Sequence, residues 1–162
     1  MKKIFLFSIA LTLFACNNTK QENEVTIMTN TDYVQVIYNA FSEGDIETVL
    51  AGFTDDIQWN EAENFIYADG NPYVGKDAIL SGVFQRIGEE WEYWNLTDAK
   101  FYNVDDDRVL VTGRYQAKHK ITAKVLDAQF AHFWKMKDTL AASFQQYVDT
   151  KQVAEVVIVD EE

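Results

Sequence analysis

Hydrophobic and polar positions change rhythm several times along this chain, and each rhythm predicts an element. From Ile4 to Ala15, ten of twelve residues are apolar, after a basic start at Lys2 and Lys3. Positions 17–28 (NNTKQENEVTIM) are mostly polar and hold no aromatic residue, the composition of a tether. Thr29 to Thr31 then offer N-cap side chains, and Tyr33, Val34, Ile37, Tyr38 and Phe41 recur at helical spacing up to Gly44, a suitable C-cap. Asp45 can cap a second helix that holds Ile46, Val49, Leu50 and Phe53. A strand is predicted at 56–61, and 62–76 is a turn-rich ordered loop with two glycines and the only proline. A third helix is predicted over 77–88, with Ile79, Val83, Phe84 and Ile87 on one face.

After Trp91 the period drops to two. Segments 92–104, 108–119, 124–137 and 139–149 are rich in β-branched and aromatic residues, separated by turns at 105–107, 120–123 and 138–139. Three helices followed by a run of strands is an α+β order. It predicts N-terminal helices packed on one side of a curved, mainly antiparallel sheet, enclosing a cone-shaped pocket. The expected domain runs from 29 to 153, with 154–162 as an acidic C-terminal tail.

Composition adds location and removes partners. A run of twelve is short of the ~20 residues that a membrane-spanning helix needs. With its basic start and small residues at the end, 1–15 reads as a secretory signal peptide. The segment closes on Leu13-Phe14-Ala15-Cys16, which resembles the lipobox of bacterial lipoproteins, and Cys16 is the only cysteine of the chain. That resemblance implies lipidation of Cys16, a tether at 16–28 and anchoring to the bacterial cell envelope, facing the periplasm or cell surface. Phe14 is bulkier than the residue usual there, and the alternative is an ordinary signal peptide with a free Cys nearby. Membrane contact is expected through the lipid alone. Two or three acyl chains, at about 0.8 kcal/mol per buried methylene, anchor stably. The net charge is −12; without Lys2 and Lys3 it is 12 basic against 26 acidic residues, or −14. Nucleic acid, which demands a basic footprint, is excluded.

The long segment GDIETVLAGFTDDIQWNEAENFIYADGNPYVGKDAIL at 44–80, with DAQFAHFWKMKD at 127–138 and QQYVDT at 145–150, resembles the nuclear transport factor 2-like superfamily. Within it, the chain is similar to the SnoaL-like, ketosteroid-isomerase-related group. The resemblance implies a conical, cystatin-like α+β fold and frequent homodimers. It also implies a pocket that different members use for isomerisation, cyclisation, epoxide hydrolysis or binding alone. Where relatives carry glycine in two hairpin turns, this chain has Ala123 and Thr139, which bears on turn geometry.

Candidate chemistry follows from both sources. The motif match places Asp149 where an aspartate of SnoaL-like cyclases acts as acid/base; the alternative is a cap on the helix that starts at Thr150. Alternation puts Phe130, His132 and Trp134 on one strand face, so His132 is either a proton or hydrogen-bond donor in the pocket or a satisfied core histidine. Trp59, Glu61 and Glu63 share a face if the strand continues, and paired carboxyls can serve as acid and base. Glu61 joins Asp149 and His132 as a catalytic candidate. Trp59, Tyr67, Tyr73, Phe130, Trp134 and Tyr147 are the expected ligand contacts, with packing within the loop as the alternative for Tyr67 and Tyr73.

No HExxH, cysteine cluster, GxSxG, GxGxxG or GxxxxGK[ST] pattern occurs, so no metal site, cofactor or nucleophile elbow is expected. Two functions remain open. One is a cofactor-independent isomerase, cyclase or hydrolase acting on a small apolar carbonyl or ring compound. The other is a non-catalytic binding or dimeric interaction module.

Overall fold

Thr29 opens helix α1 (Asn30–Glu43) with a reciprocal capping box: its hydroxyl accepts from the Asp32 backbone N–H, and its own N–H donates to Asp32 Oδ2 at 2.7 Å. The computed structural model describes residues 27–160. Residues 1–15, Cys16 and nearly all of the tether therefore lie outside the described residues. Gly44 ends α1 in the left-handed conformation, with φ +74°. Asp45 caps α2 (Ile46–Ala51), accepting from Thr48 N–H at 3.0 Å. The expected strand starts earlier than its alternation suggested, as β1 (Phe53–Asn60), so Phe53 belongs to the sheet and not to α2. Gly52 makes the break: a Cβ there would lie 2.7 Å from Ile37 Cγ1, so only glycine lets the chain turn this close to α1.

The loop after β1 contains a short 3₁₀ turn at Ala68–Gly70 and strand β2 (Tyr73–Val74). The third helix is interrupted. Helix α3 (Lys76–Ile79) passes through one π-helical turn (Leu80–Phe84) into α4 (Gln85–Glu90). Gly82 sits in that turn against the Tyr73 ring, where a Cβ would come within 2.1 Å of Tyr73 Cε1. Val83 and Phe84 are both buried there, as the expected helix face had them.

Strands β3 (Trp91–Asp105), β4 (Arg108–His119), β5 (Val125–Lys137) and β6 (Leu140–Val148) follow as a meander. The six-stranded sheet has the order β2-β1-β6-β5-β4-β3. Only the β1–β6 pair is parallel; the others are antiparallel. Strict alternation in β5 buries Leu126, Ala128, Phe130, His132, Trp134 and Met136 on one face. That face, with α1, α2 and the α3–α4 segment over it, encloses the core.

The domain also extends past 153. Helix α5 (Thr150–Val157) buries Val153 and Val156, and Thr122 Oγ1 donates to the Val156 carbonyl at 2.7 Å. The 154–162 tail is thus corrected. Spaced at i, i+3, the two valines form an apolar stripe that continues the fold, whereas acidity alone suggested a free end.

Candidate functional site

The inner face of the sheet and the helices enclose a cavity of about 60 Å³. Its lining is almost wholly aromatic and aliphatic, with Trp59, Trp94, Trp134, Phe84 and Phe144 among the large side chains. Five polar side chains interrupt it: Tyr38, Glu61, Tyr115, His132 and Gln146. Among the described residues no Lys or Arg lines it.

Glu61 stands just beyond the end of β1. Phe144 of β6, opposite Trp59 in the parallel pair, stacks on the indole at 3.7 Å between centroids and fixes that ring. Trp59 Nε1 then donates to Glu61 Oε1 at 2.7 Å, holding one carboxyl oxygen. Among the described residues the other oxygen, Oε2, has no partner, although Glu61 is only 3% exposed. A buried polar atom without a partner is costly, on the order of 1–3 kcal/mol. Burial drives the carboxyl pKa up to about 8, against the smaller downward pull of the Trp59 hydrogen bond.

His132 lies across from Gln146 on β6 and Val111 on β4. Both ring nitrogens are engaged. Nδ1 meets the Tyr38 hydroxyl at 2.5 Å and Nε2 meets the Tyr115 hydroxyl at 2.5 Å. Phe130 stacks on the imidazole at 4.1 Å between centroids, with the ring planes nearly parallel at 15°. Phe130 can lie there because its neighbour across the β4–β5 pair is Gly113, where a Cβ would come within 2.7 Å of the ring. Burial holds the imidazole pKa down at about 3, so His132 is neutral near pH 7. The surrounding hydrogen bonds have a fixed sense. Trp134 Nε1 donates to Tyr38 Oη at 3.2 Å. Gln146 Oε1 accepts from Ala62 N–H at 3.2 Å, which turns its amide nitrogen to donate to Tyr115 Oη at 3.0 Å. The Tyr115 hydroxyl pKa is raised well above the ordinary value, chiefly by burial and next by the charge of Glu61.

The SnoaL-like domain pattern matches residues 34–144, more than half of the chain and nearly all of the sheet and helices just described. The chain belongs to the SnoaL-like domain family. Solved structures place that domain in the NTF2-like superfamily. An NTF2-like protein from Burkholderia thailandensis is 28% identical, with a TM-score of 0.76 over 82% of this chain and 99% of the other. Two more distant structures share the fold. A protein described as a polyketide cyclase from Pseudomonas putida is 18% identical, TM-score 0.69, over 82% of this chain and 100% of that one. TerC, co-crystallised with polyporic acid, is 23% identical, TM-score 0.69, over 78% and 96%. No curated protein matches the sequence.

In this SnoaL-like domain the structure brings together Glu61, His132, Trp59 and Trp134, and leaves the other candidates elsewhere. Asp149 is exposed and caps α5, accepting from Gln152 N–H at 3.2 Å and Gln152 Nε2 at 2.8 Å. Those hydrogen bonds hold its carboxyl below the usual range. Its grouping with the cavity residues is therefore corrected. In β6 the inward face carries Phe144 and Gln146, which leaves Tyr147 on the opposite face, 58% exposed. Glu63 is exposed, because β1 ends at Asn60 and the chain turns before alternation can carry a second acid inward.

Tyr67 and Tyr73 are buried but do not line the cavity. Tyr67 Oη donates to Glu90 Oε2 at 2.8 Å and accepts from Trp91 Nε1 at 2.9 Å, and Tyr73 Oη donates to the Tyr67 carbonyl at 2.7 Å. Together they fasten the 62–72 loop to α4. Phe130 reaches the site only as the ring that supports His132. Tyr38, Tyr115 and Gln146 are the functional side chains that sequence reasoning missed. Gln146 had a signal: it is the polar position on the apolar phase of Phe144-Gln145-Gln146-Tyr147-Val148. Among the described residues no group of three or more His, Cys, Asp or Glu is placed to hold a metal ion.

Proposed function

We propose that the cavity is an acid/base site for a small neutral carbonyl or ring compound, and that Glu61 is the residue that moves the proton. One observation carries this reading: a buried carboxyl among the residues that line an aromatic cavity, with one oxygen fixed by Trp59 and the other without a partner among the described residues. A carboxylate with a pKa near 8 is a much stronger base than an exposed one, and both of its forms are accessible near neutral pH. The carboxylate form takes a proton from the carbon next to a carbonyl, and the acid form returns it to another position. Tyr115, facing Glu61, supplies the hydrogen bond to the ligand oxygen. Family membership and cyclase-type relatives of the fold support an isomerase or cyclase.

Size restricts the ligand. A benzene-sized ring occupies a cavity of roughly 150 Å³, more than the about 60 Å³ here, so a single ring enters only if the lining side chains move apart. A fused multi-ring compound does not fit the cavity as it stands.

The chain acts, on this proposal, as an envelope-anchored lipoprotein held by Cys16 and as a homodimer. Support for the anchor is the Lys2–Cys16 pattern. Support for the dimer is the family, together with the outer sheet face around Tyr147, Thr112 and Arg114, which no helix among the described residues covers completely. The direct test is deuterium uptake next to the carbonyl of cyclopentanone in D₂O. Wild type accelerates it, Glu61→Gln loses the acceleration, and Asp149→Ala retains it. Loss in Asp149→Ala with retention in Glu61→Gln would reverse the assignment.

A further inference from the structure

A neutral imidazole carries one hydrogen on its two nitrogens, so one nitrogen donates and the other accepts. Tyr38 and Tyr115 occupy both nitrogens of His132. The two hydroxyls and the ring bring three hydrogens to these two contacts, and each contact uses one. One hydroxyl hydrogen is always left over, and the ring tautomer decides which tyrosine carries it. With the hydrogen on Nε2, Tyr115 accepts from the ring and from Gln146, and its own hydrogen is free for the cavity. With the hydrogen on Nδ1, Tyr115 donates to Nε2 and turns only a lone pair to the cavity. The spare hydrogen then sits on Tyr38, whose oxygen accepts from the ring and from Trp134.

We propose that His132 is a tautomeric switch that sets whether Tyr115 offers a ligand oxygen a donor or an acceptor, so that one uncharged site accepts both the keto and the hydroxyl (enol) form of a small neutral compound. This rests on the reading of the cavity as the ligand site. His132 is a positioning residue here, since both of its nitrogens are occupied and Tyr115 makes the contact. Charged ligands do not suit the lining. An anion meets Glu61 with no Lys or Arg among the described lining residues to balance it. A keto–enol pair is the chemistry a proton-moving carboxyl interconverts, and an isomerase must hold both forms. The low basicity that burial imposes on His132 keeps the ring in its neutral, switchable state.

The test uses the full chain labelled with ¹⁵N-histidine and three probes of one shape: cyclopentanone, cyclopentanol and cyclopentylammonium. The His132 signals are identified by their loss in His132→Gln. Ring nitrogen shifts and couplings separate the two tautomers. Cyclopentanone, which only accepts, should draw the ring to the Nε2–H form, and cyclopentanol should raise the Nδ1–H share. Tyr115→Phe should weaken cyclopentanone binding about 5- to 10-fold, the loss of one neutral hydrogen bond, and should abolish the difference between the two probes. Binding of both probes with an unchanged tautomer, or a doubly protonated ring near pH 7, would overturn the switch while leaving the cavity reading intact. Binding of the ammonium alone, or of none of the three, would overturn the cavity reading and the switch with it.

Discussion

At the scale of single residues, two buried titratable groups give stability a distinctive dependence on pH. Glu61 has a folded pKa of about 8 against 4.5 for the free group. The folded state therefore holds a proton that the unfolded state has lost, and stability falls as pH rises from 4.5 through 8. The full effect is on the order of 5 kcal/mol, at about 1.4 kcal/mol per pKa unit. His132 has a folded pKa of about 3 against 6.5. Its stabilising contribution is complete above 6.5 and is lost as pH falls towards 3. Between about 4.5 and 6.5 the two slopes oppose each other and flatten the profile. Urea unfolding across this range should show a plateau, with decline on both sides. Glu61→Gln should remove the decline between 6.5 and 8 while keeping the acid limb. An alkaline limb unchanged in Glu61→Gln would mean that Glu61 does not titrate as a buried group.

At the scale of elements, most boundaries were legible because caps and alternation are local. Thr29, Gly44 and Asp45 act as the caps that their residue types suggested. The four long strands fall within one or two residues of the expected segments, because an apolar period of two continues until a turn interrupts it. Strand phase at β6 was harder to read. Both Phe144-Gln146 and Gln145-Tyr147 alternate plausibly, and the choice is made by Phe144 stacking on Trp59 across a parallel pair some 85 residues apart in sequence. That long-range contact turned Tyr147 and Asp149 outward.

Tyr38 and Tyr115 carried no comparable signal, because their shared partner His132 lies 94 and 17 residues away in sequence. The turns carry a separate prediction. Ala123 sits at φ +55° and Asp138 at φ +56°, so the glycine-type conformation falls on Asp138, one residue before Thr139. Ala123 is exposed, and its left-handed backbone costs roughly 1–2 kcal/mol. Ala123→Gly should raise stability by up to about 1 kcal/mol, the gain being reduced by the greater freedom of glycine in the unfolded chain. Thermal denaturation reads this directly, and a lowered melting temperature would contradict it.

At the scale of the whole molecule, the proposal joins a buried acid/base site to a chain held at the envelope by lipid. No helix among the described residues is long and apolar enough to cross a membrane. The proposed attachment is through Cys16. Palmitate labelling should mark the wild-type chain and fail with Cys16→Ala; equal labelling of the two would end the lipoprotein proposal. The excess of acids keeps the surface highly charged, and among the described residues Glu61 alone of the acids is buried in the core. Its titration is the central test, followed by ¹³C NMR of the side-chain carboxyls in the full chain. The account predicts that Glu61 titrates near pH 8 and that Asp149 titrates below the usual carboxylate range. A Glu61 midpoint close to 4.5, the value of the free group, would contradict it.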